Sequence, residues 1–251
     1  MQSRFRILPI VLLLSISAAG LVACSASTTS TTSTASSTTP SAATAIESPS
    51  ATPSAAETPS AGEKANAEFK DKLTGAALLT ALSKGGHIIY FRHAQTDKDY
   101  ADQADAKMKL DQCETQRKLS AAGIQQAKDI GAAFKAKNIP VGDVITSDYC
   151  RAWKTAELAF GRYTKNSKLN FLPFEEYTEA QTKQMKDTVT PLLTATPAAG
   201  KNTVIVGHDD IFEAATGIYP DPQGMAYVLT PDGKGGFTLQ ANLLPDEWAK
   251  L

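Results

Sequence analysis

The sequence predicts a three-layer αβα sandwich, an α/β fold whose central sheet is mostly parallel and carries an antiparallel hairpin near the C-terminus. Three observations lead there. From Gly85 onward, short apolar runs alternate with helical stretches, the order that gives parallel strands joined by right-handed crossovers. The runs Ile88-Ile89-Tyr90-Phe91 and Thr203 to Gly207 show almost no polar alternation, as in strands covered on both faces. Near the end the alternation stops. Ala226 to Thr230 and Gly236 to Leu243 flank Pro231-Asp232-Gly233-Lys234-Gly235, a turn sequence between two strands.

The first 62 residues stand apart from this pattern. Arg4 and Arg6 precede the apolar run Ile7 to Ala19, which is short for a bilayer span and ends in small residues. Basic, apolar and small-residue regions in that order make a signal peptide over residues 1–23. Residues 24–62 are almost wholly Ser, Thr, Ala and Pro, too poor in large side chains to offset ordering entropy, and are expected to be a disordered tether. The folded domain is therefore expected at 63–251, long enough for its own core. A net charge of −1 and the lack of long basic runs argue against nucleic acid as a partner.

Within the domain, Leu73 to Leu82 reads as a short helix closed by Gly85-Gly86, followed by the strand that runs into Arg92-His93. Asp97 to Cys113 is polar and irregular, with room for one helical turn. Ser120 caps a helix that places Ile124, Ala127, Ile130, Gly131 and Phe134 on one face and ends near Pro140. Asp143 to Thr146 is a strand and Arg151 to Phe160 a helix stopped by Gly161. Leu169 to Phe174 is read as a further strand, Glu179 to Leu193 as a helix, and Glu247-Trp248 as the start of a short terminal helix.

Two of the three histidines end apolar strands, in Tyr90-Phe91-Arg92-His93 and Ile205-Val206-Gly207-His208. Open α/β sheets bind ligands outside the carboxyl ends of their strands, so both imidazoles are directed to one crevice. His87, at the opposite end of its strand, is assigned a structural role. A third segment, Thr146-Ser147-Asp148-Tyr149-Cys150-Arg151-Ala152-Trp153-Lys154-Thr155-Ala156, puts Arg151 in the first turn of a helix. The macrodipole disfavours a cation there unless an anion lies in front of it.

In order and spacing, these three segments resemble the histidine phosphatase superfamily in its phosphoglycerate-mutase-like branch. That branch carries an Arg-His-Gly strand end, a Ser-x-x-x-Arg-Ala-x-x-Thr-Ala helix start and a late strand ending in His. The one departure is Ala94 where the family usually has Gly. The resemblance implies His93 as the nucleophile, with Arg92, Arg151 and a protonated His208 holding the phosphoryl oxygens. Such a set works by positioning and charge, and implies a phosphomonoesterase with no cofactor and no metal. Gln95 and Thr96 are candidates for completing the phosphate shell, and Arg117 for reaching the pocket rim. For the general acid, Asp209 is preferred for its fixed place beside His208, as in the acid-phosphatase branch. Glu175 and Glu176 are the alternatives from the mutase-like branch, and a helix N-cap is the ordinary role for Asp209.

The tetrapeptide Leu21-Val22-Ala23-Cys24 resembles the bacterial lipobox, which implies acylation of Cys24, an exported protein and a membrane-anchored lipoprotein of the cell envelope. Cys113 and Cys150 then remain in an oxidising setting, either bridged across the pocket or as two thiols. The expected partners are a small-molecule phosphomonoester and, through the lipid anchor, a membrane. The rival readings are a phosphomutase and a catalytically inactive phosphate-ligand-binding or scaffold module on the envelope.

Overall fold

A computed structural model describes residues 58–98, 102–174 and 176–251. The expected signal peptide, Cys24, most of the expected tether and Glu175 lie outside the described residues. The described part begins earlier than position 63. Helix α1 (Ala61–Ala67) is opened by a reciprocal cap in which Ser60 Oγ accepts from the Glu63 backbone and the Glu63 carboxylate accepts from Ser60. Gly62 is buried there, and its carbonyl accepts from Tyr219 N at 3.1 Å. The last residues assigned to the tether thus belong to the fold.

The sheet has six strands in the order β3-β2-β4-β1-β5-β6. Strand β1 (Ile88–Arg92) lies beside β4 (Asn202–Gly207), and β4 beside β2 (Val141–Thr146), all parallel. Strands β5 (Ala226–Pro231) and β6 (Phe237–Leu243) form the expected hairpin, antiparallel to β1 through β5. The outer strand β3 is only Thr164–Lys165.

Because β1 and β4 are covered on both faces, their alternate residues feed two separate cores. Ile89, Phe91, Val204 and Val206 pack with Leu78, Ile130, Phe134 and Trp248, under helices α2 (Gly75–Lys84), α3 (Ala121–Ala136) and α4 (Cys150–Phe160). Ile88, Tyr90 and Ile205 pack with Met185, Val189 and Phe212, under α5 (Glu179–Leu193) and α6 (Asp209–Thr216). The result is the three-layer arrangement, with apolar burial on both faces supplying its main stabilisation.

Two expectations are corrected. Leu169 to Phe174 is not a strand: Leu169 closes a single 3-10 turn and the rest is irregular. Leu169 and Phe171 are buried without pairing in the sheet, Phe171 by stacking on Tyr149 with ring centroids 4.6 Å apart, while Phe174 at the end of the segment is exposed. Ile124 is 37 % exposed, on the outer side of the first turn of α3. None of the described helices is long and apolar enough to cross a membrane.

Candidate active site

The sheet register brings the two histidines together. Arg92 pairs with Gly207, so the next residue on each strand, His93 and His208, leaves the sheet at one point, with ring centroids 5.5 Å apart. His93 N donates to Gly207 O at 3.0 Å. Gly207 is required here, since a Cβ would lie 2.3 Å from the Tyr90 hydroxyl. That hydroxyl donates to His208 O at 2.7 Å and accepts from His208 N at 2.9 Å, fixing the backbone as the chain turns into α6.

On the other side of β4, Thr146 of β2 pairs with Val206, which puts Ser147 next to His208. Ser147 Oγ lies 2.6 Å from His208 Nε2. Tyr149 and Phe171 meet the same ring edge-on, at centroid distances of 5.0 and 4.5 Å. Arg151, in the first turn of α4, lies across the faces of Tyr149 and Phe171 and points its Nε at His93 Nε2, 3.2 Å away.

His93 is fully buried. Its Nδ1 lies 2.8 Å from the Ala94 carbonyl, so Nδ1 carries the hydrogen and donates it. Nε2 is left as an acceptor, facing Arg151 Nε and, at 3.3 Å, Arg117 Nη2. Burial, followed by the charges of Arg151, Arg117 and Arg92, pushes His93 well below the usual imidazole range. The ring is therefore neutral at pH 7, with its lone pair directed at two cations.

His208 differs from its expected state. Burial and then Arg151, His93, Arg117 and Arg92 hold it well below the ordinary histidine range, so it is uncharged without a ligand. A buried ring surrounded by three guanidinium groups gains nothing from a further positive charge. Only an incoming anion reverses that balance.

Arg92 faces another way. Its Nη2 meets the Asp209 carboxylate at 2.5 Å and Tyr219 at 3.3 Å, while Nη1 meets Asp221 at 2.9 Å and the Pro220 carbonyl at 3.0 Å. Burial alone would raise Asp209, but Arg92 and a hydrogen bond from Tyr219 outweigh it and hold the carboxyl below its ordinary value. Asp209 is thus an ionised partner of Arg92, not a protonated acid. Its neighbour Asp210 goes the opposite way, pushed up to about 7 by burial and by the Asp209 charge.

Gln95 and Thr96 are not drawn to the histidines. Gln95 N donates to Gln126 and Thr96 N to Gln223, and both residues line a neighbouring cavity of about 820 Å³ together with Asp221. Glu176 is exposed and lines a separate cavity of about 890 Å³ with Asp210 and Glu213. His87 bonds Thr230 Oγ1 at 3.0 Å, as its structural assignment anticipates. Cys113 and Cys150 form a disulfide with Cα atoms 5.6 Å apart. The bridge ties the loop before α3 to the helix start carrying Arg151, and Cys150 N donates to Gln116 Oε1 across the same joint. Sequence reasoning missed Asp102, which sits on a single 3-10 turn in the β1–α3 connection, and the contact of Ser147 with His208. Neither carries a periodic signal. Among the described residues, no three His, Cys, Asp or Glu side chains cluster as metal ligands.

The histidine phosphatase superfamily, branch 1, matches as a family over residues 88–191, from the first strand through α5. Over those residues the chain is similar to that superfamily. That match supports a phosphatase, with the strand-end set described above as its candidate active site. Among solved structures it is similar to the protein histidine phosphatase SixA complexed with tungstate, at 14 % identity and TM-score 0.45, covering 64 % of this chain and 98 % of that one. The phosphoserine phosphatase of Entamoeba histolytica in complex with 3-phosphoglyceric acid is 14 % identical at TM-score 0.47, covering 63 % and 96 %. The alpha-ribazole phosphatase of Shigella flexneri is 16 % identical at TM-score 0.47, with the same coverage of each chain. At this level of identity and TM-score, neither substrate nor residue roles carry over. No curated protein matches the chain significantly.

Proposed function

We propose that the protein hydrolyses a small-molecule phosphomonoester through a phosphohistidine on His93. One observation carries this reading: the His93 Nδ1 hydrogen is fixed on the Ala94 carbonyl, leaving Nε2 bare and faced by Arg151 at 3.2 Å and Arg117 at 3.3 Å. A phosphoryl group placed between these guanidinium groups and Nε2 meets a nucleophile on one side and charge-stabilising donors on the other. In the first step, the Nε2 lone pair forms the N–P bond while the ester P–O bond breaks, and the leaving oxygen takes a proton from solvent water to depart as the alcohol; the water that attacks in the second step returns a proton to solvent. Water then attacks phosphorus, the N–P bond breaks back to Nε2, and inorganic phosphate departs. The dianion that enters also raises His208, which then takes up a proton and becomes the third cation of the shell.

Asp209, ionised on Arg92, is proposed to orient that arginine in place of the acid role read from the sequence. We also propose that the protein is exported and held at a bacterial envelope membrane through acylated Cys24, a reading supported by the pattern of residues 1–24. Replacing Cys24 by Ser should abolish palmitate incorporation, and equal incorporation in that variant would refute the anchor.

The test of the chemistry is covalent. Acid-labile, base-stable phosphate should appear on the full-length protein after rapid quenching, and none should appear on His93→Ala. Label that survives in His93→Ala would overturn the nucleophile assignment. A wild-type protein that neither labels nor turns over p-nitrophenyl phosphate would favour the inactive binding module.

A further inference from the structure

We propose that Asp102 is a positioning residue whose carboxylate aims the Arg151 guanidinium at His93, while holding the backbone that carries Arg117; the inference rests on the phosphohistidine reading above. Asp102 is 1 % exposed. A single oxygen, Oδ2, accepts from Arg151 Nη1 at 3.0 Å and from the backbone N of Arg117 at 2.8 Å. Each of those residues extends from that joint to the same nitrogen. Arg151 Nε is 3.2 Å and Arg117 Nη2 is 3.3 Å from His93 Nε2. One carboxylate oxygen thus joins the Arg151 guanidinium to the backbone from which Arg117 extends.

The atoms used decide between aiming the arginine and blocking it. On a guanidinium group, Nε and Nη2 share one edge, and Nη1 lies at the far side of Nη2. Asp102 takes Nη1, which leaves the Nε/Nη2 edge turned toward His93, where phosphoryl oxygens are to be held. The rings of Tyr149 and Phe171, 4.7 and 5.5 Å from the guanidinium carbon, set the plane of that group without fixing its rotation within the plane. Asp102 supplies that missing constraint. It also offsets the placement of a buried cation in the first turn of α4, where the helix dipole opposes it.

A further sign is the other oxygen. Asp102 Oδ1 is buried and has no hydrogen-bond partner. An unpaired buried acceptor is destabilising, so the contacts of Oδ2 with Arg151 and the Arg117 backbone must offset that cost. The surrounding chain also locks Asp102 in place. Arg117 follows Gln116, whose Oε1 accepts from Cys150 N at 2.8 Å, and the Cys113–Cys150 bridge closes the same loop.

The test uses the full-length protein and the rate of phosphohistidine formation in a single turnover. Asp102→Asn keeps the shape but loses the charge, and should slow labelling of His93 roughly 10- to 100-fold, the scale of a misaimed group. Because Asp102 acts through Arg151, adding Asp102→Asn to Arg151→Ala should slow the reaction by much less than it slows the wild type. Asp102→Glu keeps the charge but moves the oxygen, so it should recover the unfolding midpoint without recovering the rate. Wild-type labelling in Asp102→Asn, full multiplication of its effect in the Arg151→Ala background, or wild-type rate in Asp102→Glu would each overturn the proposal. If His93→Ala still takes the label, the nucleophile reading itself fails. An unlabelled His93→Ala beside a wild-type Asp102→Asn sinks the positioning role alone.

Discussion

Opening the Cys113–Cys150 bridge should separate its two effects, on stability and on the site. The bridged residues are 37 apart in sequence. Releasing a loop of that length from the unfolded chain corresponds to about 4 kcal/mol at 25 °C in the loop-entropy relation. For a domain of this size, 1 kcal/mol moves the unfolding midpoint by roughly 2–4 °C, so a fall of roughly 8–16 °C is expected. Thermal unfolding of the Cys113→Ser/Cys150→Ser protein, and of the wild type with and without reductant, measures it. The bridge also ends beside Arg151 and four residues before Arg117, with Cys150 N on Gln116 between them. The reduced protein, assayed at 25 °C where it is still folded, should therefore lose kcat/KM about tenfold as both arginines gain freedom. A midpoint shift below about 3 °C would refute the entropic argument. A normal shift with unchanged kcat/KM would show that the bridge does not hold the arginines.

Three other outcomes follow from the same geometry. Gly123→Ala tests a close approach: an added Cβ would lie 1.9 Å from the Gln95 carbonyl, which also accepts from Ser120 N at 3.0 Å. Helix propensity favours Ala by about 1 kcal/mol, but the clash is with backbone, so net destabilisation of about 1–3 kcal/mol in denaturant unfolding is expected, and a more stable variant would contradict the packing. The acid limb of kcat/KM should lie below the ordinary histidine range, because His93 must be unprotonated and burial plus three arginines lower it. Arg117→Gln should move that limb to higher pH, and an unmoved limb would separate it from His93. Asp209→Asn should slow an alkyl phosphate and p-nitrophenyl phosphate by similar factors, as expected of a group acting through Arg92. A loss at least about tenfold greater on the alkyl ester would restore Asp209 as proton donor.

The layers, the sheet direction and the pair of strand-end histidines were legible because each is a local statement. An unbroken apolar run marks a strand covered on both faces, and the residue after it is delivered to the sheet edge wherever that strand lies. Arg151 was legible from its misfit with the helix dipole, and α5 from its apolar pattern, which places it at Glu179–Leu193 as observed. The errors have a common origin. Leu169 to Phe174 was read as a strand because burial and strand pairing give the same apolar signature, and here burial came from stacking on Tyr149. Asp102 lies in a polar connection where one carboxylate looks like any other, and only the distant pairings of Arg117 and Arg151 single it out. The charge state of His208 depends on how many cations share its cavity. That is a sum over three separate segments.

That same sum explains why carboxylates stand beside the three arginines of the candidate site. Arg92, Arg117 and Arg151 are all nearly buried and close enough to depress both histidines. Left unscreened, three such charges would repel one another and oppose folding. Asp209 and Asp221 draw Arg92 to one side, while Asp102 holds Arg151 from behind. Burial and these guanidinium groups together hold both histidines below the ordinary imidazole range. On the proposed phosphohistidine reading, a phosphoryl dianion entering that set would do two things at once: join the guanidinium edge that Asp102 leaves open, and make protonation of His208 favourable. Neutral His93 keeps its lone pair for attack because its own hydrogen is on Nδ1, bonded to Ala94. On that reading, two chemically identical side chains take opposite roles through their neighbours: one bonded to a carbonyl that preserves a nucleophile, the other beside a hydroxyl and placed to take up a proton with the substrate.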